Sequence, residues 1–280
     1  MTLPIYQIDA FTQQPFGGNP AAVVPLTAWL PTALMQQIAE ENNLSETVFF
    51  VPMASQNATG PHLAAYAQGP TPHYHIRWFT PRQEINLCGH ATLATAYALF
   101  HHLGHQGSSI LFHSQSGPLQ VTLMPNGSLQ MDFPAWMPTP LDAVPAHLVE
   151  ALGGAEVLSV HQHRDLLVEL PSQQAVQDCS PNFFLMQQHF KYIIITAAGT
   201  TVDFVSRFFA PTDGINEDPV TGSAHAQLIP FWAQRLQKTN LVATQLSARQ
   251  GQLWCSHQGS RVIISGHAVL YSQGQLYLPA

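Results

Sequence analysis

Residues 4–11 (Pro-Ile-Tyr-Gln-Ile-Asp-Ala-Phe) alternate apolar and polar side chains, the pattern of a strand buried on one face. A turn by composition, Phe16-Gly-Gly-Asn-Pro20, separates it from a second apolar run at 21–24. Pro31 suits the first position of a helix, Leu34, Ile38 and Ala39 supply its apolar stripe, and Asn42-Asn43 suits its C-terminal cap. Residues 44–51 read as a turn feeding a strand, with Glu46 at its mouth. Residues 52–73, rich in Pro, Gly, Ala and Gln, read as a loop, and 74–79 as a strand broken by Thr80-Pro81. A helix is predicted from about Gly89 to His102. Strands follow at 110–113, 119–124 and 129–133, the last two joined as a hairpin by Pro125-Asn-Gly-Ser. The proline-rich stretch 134–145 reads as a linker and 146–152 as a short helix. Strands at 157–160, 165–170, 192–196 and 203–209 lead to a helix at 223–236. Strands near 241–247, 252–257, 261–270 and 275–278 close the chain.

The pattern repeats. Phe79-Thr-Pro81 and Ile85-Asn86 match Phe209-Ala-Pro211 and Ile215-Asn216 at one common offset, and Gly89 before the first long helix matches Gly222 before the second. Ser116-Gly117 and Gln250-Gly251 continue the series with a drift of a few residues, as one small insertion would cause. The period is too long for a solenoid. The reading is an α+β duplication: two pseudo-symmetric lobes, each a curved, mostly antiparallel sheet or barrel around a central helix. The expected lobes are 1–116 with 268–280, and 117–267, with a small-molecule site in the cleft between them.

Composition narrows the function. Hydrophobic residues make up 46% of the 280 and charged residues only 9%, so the polar surface rests on Gln, Asn, Ser, Thr and His. A net charge of -7 without a basic run argues against nucleic acid. No apolar run reaches the roughly 18 residues of a membrane span, and the chain enters a strand pattern directly rather than a signal peptide. Three widely spaced cysteines, Cys88, Cys179 and Cys255, suit a reducing cytoplasm, and neither they nor the 15 histidines show metal-ligand spacing. No metal and no cofactor are expected.

The candidate chemistry lies at the two long helix starts. Unpaired backbone N–H groups and the positive end of the helix dipole favour anions there, and Gly89 and Gly222 permit close approach. Two such starts can hold a carboxylate and stabilise the enolate-like charge left when a proton departs from its α carbon. Nearby titratable groups are Glu46, Cys88, His90, Glu217 and Asp218. Glu46 precedes an apolar segment, so burial can tune its carboxyl for proton transfer.

These motifs together resemble the PhzF-like family of phenazine-biosynthesis isomerases, within the diaminopimelate-epimerase-like fold. The resemblance rests on Asp9-Ala-Phe-Thr, Gly18-Asn-Pro-Ala-Ala-Val23, Leu44-Ser-Glu-Thr47, Phe79-Thr-Pro81, Cys88-Gly-His-Ala-Thr92, Glu217-Asp-Pro-Val-Thr-Gly-Ser-Ala224 and Ile264-Ser-Gly-His-Ala268, in order over nearly the whole chain. In the phenazine enzyme a Glu of the Leu-Ser-Glu-Thr motif moves a proton between carbons of a dihydro-hydroxyanthranilate without a cofactor. The resemblance therefore implies Glu46, His90 and Asp218 as catalytic residues. It implies Asn19, Ser45, Cys88, Gly89, Gly222 and Ser223 as substrate-binding, and a homodimer. The related epimerases use two opposed cysteines. Cys88 matches the first, but the position before Gly222 is Thr221, which argues against a two-thiol racemase. The leading expectation is a cofactor-independent isomerase of a small carboxylate metabolite. The alternatives are an amino- or hydroxy-acid epimerase or racemase, and a non-catalytic small-molecule binding protein.

Overall fold

A computed structural model describes residues 1–53 and 72–278, so most of the loop expected at 52–73 lies outside the described residues. The chain divides into two compact units. The first comprises Met1–Pro15, Pro20–Asp132 and His267–Ala280, and the second Phe16–Asn19 and Phe133–Gly266.

In the first unit β1 (Thr2–Ala10) pairs antiparallel with β18 (Ala268–Tyr277). Strand β2 (Asn19–Pro25) crosses over through helix α1 (Thr32–Asn42) to β3 (Glu46–Pro52), which lies parallel to it. Asn43 closes α1 in the left-handed conformation at φ 48°, and its N–H bonds back to the carbonyl of Ala39. Strand β4 (His73–Phe79) pairs antiparallel with β3 and with the short β5 (Glu84–Ile85), and parallel with β6 (Ser109–Ser114). Strands β7 (Gly117–Leu123) and β8 (Leu129–Pro134) complete an antiparallel meander from β6. Helix α2 (Gly89–His101) is buried along nearly its whole length against β1, β3, β7 and β18. Thr92 and Thr95 fit that apolar setting because their hydroxyls bond to the carbonyls of Cys88 and Ala91 one turn back. A separate cluster seats Met35, Ile38 and Ala39 of α1 on Val24, Phe49 and Phe79.

The second unit repeats the ladder. Strand β10 (Ser159–Gln162) pairs antiparallel with the short β9 (Thr139–Pro140), inside the expected linker, and with β11 (Leu166–Glu169). Strand β11 lies parallel to β12 (Ile193–Ala198), as β2 does to β3. Strand β13 (Phe204–Ala210) is antiparallel to β12 and to β14 (Ile215–Asp218), and parallel to β15 (Asn240–Gln245), as β4 is to its neighbours. Strands β16 (Gly251–Gln258) and β17 (Arg261–Gly266) form the matching meander, against which α6 (Gly222–Leu236) packs. The duplication extends to a half-buried ion pair. Arg77 bonds both Nε and Nη2 to Glu84, and its equivalent Arg207 does the same to Glu217, each guanidinium lying over the equivalent Phe79 or Phe209 ring.

Two boundaries and one crossover differ from the sequence reading. The first unit runs to Asp132 rather than 116, because β7 and β8 share the ladder of β6. The final strands divide at His267 rather than after 270, since its carbonyl accepts the N–H groups of Phe11 and Thr12. Besides the short α3 (Leu148–Ala151), two helices occupy the β11–β12 crossover, α4 (Gln173–Asp178) and α5 (Phe183–His189). Their caps, Ser172 and Asn182, are bonded to the N–H groups of Ala175 and Leu185.

Candidate active site

In the first unit the turn into β3 and the start of α2 bring three expected residues together. His90 stands between the other two: its Nε2 lies 3.0 Å from Glu46 Oε2, and its Nδ1 lies 3.4 Å from Cys88 Sγ. All three are buried. Cys88 occupies the N-cap position of α2, and its side chain makes no capping hydrogen bond there. Gly89 is buried as the first helical residue, and Ser45 is half-buried just before Glu46.

Burial pushes the Cys88 thiol up to about 11, reinforced by the Glu46 charge and only partly offset by His90, so at neutral pH it is a thiol. Burial opposes a charge on His90 as well, but its acidic neighbours outweigh burial and hold its pKa well above the ordinary value. A neutral Cys88 supplies no charge at pH 7, so the raising influence on His90 comes from Glu46. The arrangement is a buried line of thiol, imidazole and carboxyl groups in close contact. The same three side chains each offer one donor atom within 4.8 Å of the others, close enough for a divalent ion such as zinc. Sequence spacing gave no hint of this, because Glu46 comes from a different element.

The second unit gathers the other expected residues around the start of α6. Asn19 donates to Asp218 Oδ1 at 2.7 Å and to the carbonyl of Val220 at 3.0 Å. The Thr221 hydroxyl donates to Asp218 Oδ2 at 2.5 Å. Gln245 ties the turn, accepting from Thr221 N and donating to the carbonyl of Asp218. Asp218 thus has both oxygens engaged and shapes the approach to α6. Thr221 stands where Cys88 stands in the first unit, at the N-cap, and again the cap side chain leaves the helix N–H groups alone. Gly222 is buried and Ser223 half-buried in the first turn. Glu217 is not part of this group: it is the carboxylate of the Arg207 ion pair, and Arg207 also bonds the carbonyls of Val176 and Cys179.

Sequence reasoning passed over Arg164. Its Nη2 donates to Ser223 Oγ at 3.1 Å, and Nε and Nη2 engage both oxygens of the buried Asp165. The available signal was rarity: a guanidinium kept in a chain with only nine Lys and Arg residues.

Comparison with known proteins identifies the family. The family described as phenazine biosynthesis-like protein matches residues 8–274. An uncharacterized isomerase of Pseudomonas aeruginosa is 47% identical over 279 residues, covering 99% of this chain and 100% of its own. A phenazine biosynthesis-like domain-containing protein of Homo sapiens is 37% identical, covering 99% of both chains. A PhzF-family crystal structure from Enterococcus faecalis superposes with a TM-score of 0.88 at 44% identity, covering 99% of this chain and 100% of its own. A hydroxyproline epimerase from Agrobacterium vitis, 8% identical with a TM-score of 0.61 over 98% of this chain and 92% of its own, shares the fold alone. With the duplicated ladder, these matches place the chain in the phenazine biosynthesis-like family of isomerases.

Proposed function

We propose that the protein is a cofactor-independent isomerase of a small carboxylate metabolite, with Glu46 as the group that carries the proton. The observation that supports this reading most is the buried Glu46–His90 contact of 3.0 Å at an uncapped helix start. The Glu46 carboxylate takes a proton from a carbon activated by the substrate's unsaturation or carboxylate. The C–H electrons pass into an enolate-like system, and the carboxylic acid then returns the proton to another carbon, so no atom is gained or lost. His90, 3.0 Å away, keeps the Glu46 carboxyl group oriented. The backbone N–H groups at Gly89 and Gly222 favour the substrate's negative charge. Asn19, Asp218 and Gln245 hold the turn that presents Gly222 and Ser223, so Asp218 acts in this reading as a positioning residue.

The equivalent of Cys88 is Thr221, whose hydroxyl donates to Asp218, which supports a one-base proton shift over two-thiol racemisation. The experiment is solvent-deuterium incorporation into a metabolite that shifts the protein's melting temperature. Glu46→Gln lowers exchange about a thousandfold, Cys88→Ala by less than about tenfold, and exhaustive dialysis against EDTA leaves the rate unchanged. Full exchange by Glu46→Gln, or its loss in Cys88→Ala alone, overturns the assignment. Absence of exchange with every bound metabolite points instead to a binding protein.

A further inference from the structure

The duplication allows the two helix starts to be compared position by position. Thr47 faces Phe79 in the β3–β4 ladder, and Ile193 faces the equivalent Phe209 in the β12–β13 ladder, so Glu46 and Tyr192 are equivalent. The parallel register then aligns Pro20-Ala21 with Arg164-Asp165, and the helix starts align His90 with Ser223. In the first unit the second helical residue, His90, meets a carboxylate from the ladder. In the second unit its counterpart Ser223 meets a guanidinium from the ladder. One copy places a carboxyl and an imidazole together, and the other a guanidinium and a hydroxyl at the same place.

Arg164 is held there with unusual care. The Asp165 carboxylate, wholly buried, grips Nε and Nη2, while the Arg164 side chain keeps 34% of its exposure. The guanidinium lies over the rings of Trp136 and Tyr192, with its carbon 5.0 Å and 5.7 Å from their centroids. Tyr192 is fixed by donating to Asp213 at 2.6 Å. The neighbours of Arg164 are tied to α6: Gln227 bonds the N–H and carbonyl of Asp165, and the Ala226 carbonyl accepts the N–H of Trp136. Nη1 has no hydrogen bond among the described residues. A planar fork with Nε and Nη2 engaged and Nη1 open is suited to an anion seated beside Ser223.

We propose that Arg164, through Nη1 and together with the Ser223 hydroxyl, is a specificity-determining residue that takes the substrate's carboxylate. This rests on the reading above that the substrate is a small carboxylate, and it adds the side chain that selects that group.

The test is calorimetric titration of the full chain with matched pairs of ligands: 3-hydroxyanthranilate and pyrrole-2-carboxylate, each against its carboxamide. Because Arg164→Gln alone strands a buried carboxylate, the informative variant is Arg164→Gln with Asp165→Asn, checked for folding by its melting curve. Wild type prefers the carboxylate of at least one pair by about tenfold or more, and the double variant loses that preference while its amide affinity is unchanged. Arg164→Lys, which keeps the charge without the fork, also loses most of the preference. Carboxylate preference retained in the double variant, or absent from wild type in both pairs, overturns the proposal. Glu46→Gln separates the two readings: it keeps the carboxylate preference while losing deuterium exchange. If it keeps both, the proton-transfer assignment fails and the Arg164 site stands.

Discussion

Two glutamates serve opposite ends in this protein. Glu46 is buried against a histidine, and Glu217, beside the turn into α6, is spent on Arg207. Glu217→Gln is therefore expected to lower stability by about 2 kcal/mol, the cost of weakening a charge-assisted pair, with deuterium exchange unaffected; urea unfolding and the exchange assay measure the two effects. His225 gives a pH signature. It is wholly buried in α6, donates Nδ1–H to the Thr221 carbonyl at 2.8 Å, and burial pushes its pKa down to about 4, only partly offset by that bond. The unfolded chain takes up this proton near pH 6.5, whereas the native chain stays neutral until about 4. Stability is thus intact above 6.5 and falls as pH drops through that window, on the order of 3 kcal/mol from this residue. His225→Asn, which keeps a donor without a titrating ring, should flatten the slope of unfolding free energy between pH 6.5 and 4.

Among the elements, α6 joins packing to function through a local defect. Pro230 lies inside the helix and has no N–H, so the Ala226 carbonyl one turn earlier lacks its usual partner. The N–H of Trp136 takes that place at 2.8 Å. The ring that results lies under Arg164. Pro230→Ala restores a competing helical donor, and hydrogen exchange at the Trp136 amide is expected to quicken about fivefold, the equivalent of roughly 1 kcal/mol of lost protection. No change at that amide shows that the segment is held by other contacts. Nothing in the local sequence joins residue 136 to residue 226; the bond exists because a proline exposed an acceptor at the point where the chain returns.

Across the molecule, the duplication makes a quantitative comparison possible. Arg77 and Arg207 occupy the same ladder position and grip equivalent carboxylates, but Arg207 is the more buried and adds two backbone carbonyls. Both Arg77→Ala and Arg207→Ala should destabilise, by about 2 and about 4 kcal/mol, because each strands a partly buried carboxylate. Denaturant unfolding decides the order, and a larger loss at Arg77 contradicts the equivalence drawn from the ladders. The repeat was legible in the sequence through Phe-x-Pro and the helix-start glycines, which backbone geometry fixes in both copies; the Ile-Asn match does not hold in the ladders, where Ile85 faces Trp78 but Ile215 faces Ala210.

The sequence by itself determined the alternation that makes the strands, the helix starts at Gly89 and Gly222, the asymmetry of Cys88 against Thr221, and the family. Those are short-range properties: side-chain period, backbone freedom and motif order. Only the tertiary structure decided which acid meets His90, that Glu217 belongs to an ion pair, and that Arg164 stands beside Ser223. These contacts join residues 44, 10 and 59 positions apart. Which long-range partner a polar side chain meets is set by ladder register, and register follows from the packing of whole strands rather than from any one stretch of chain.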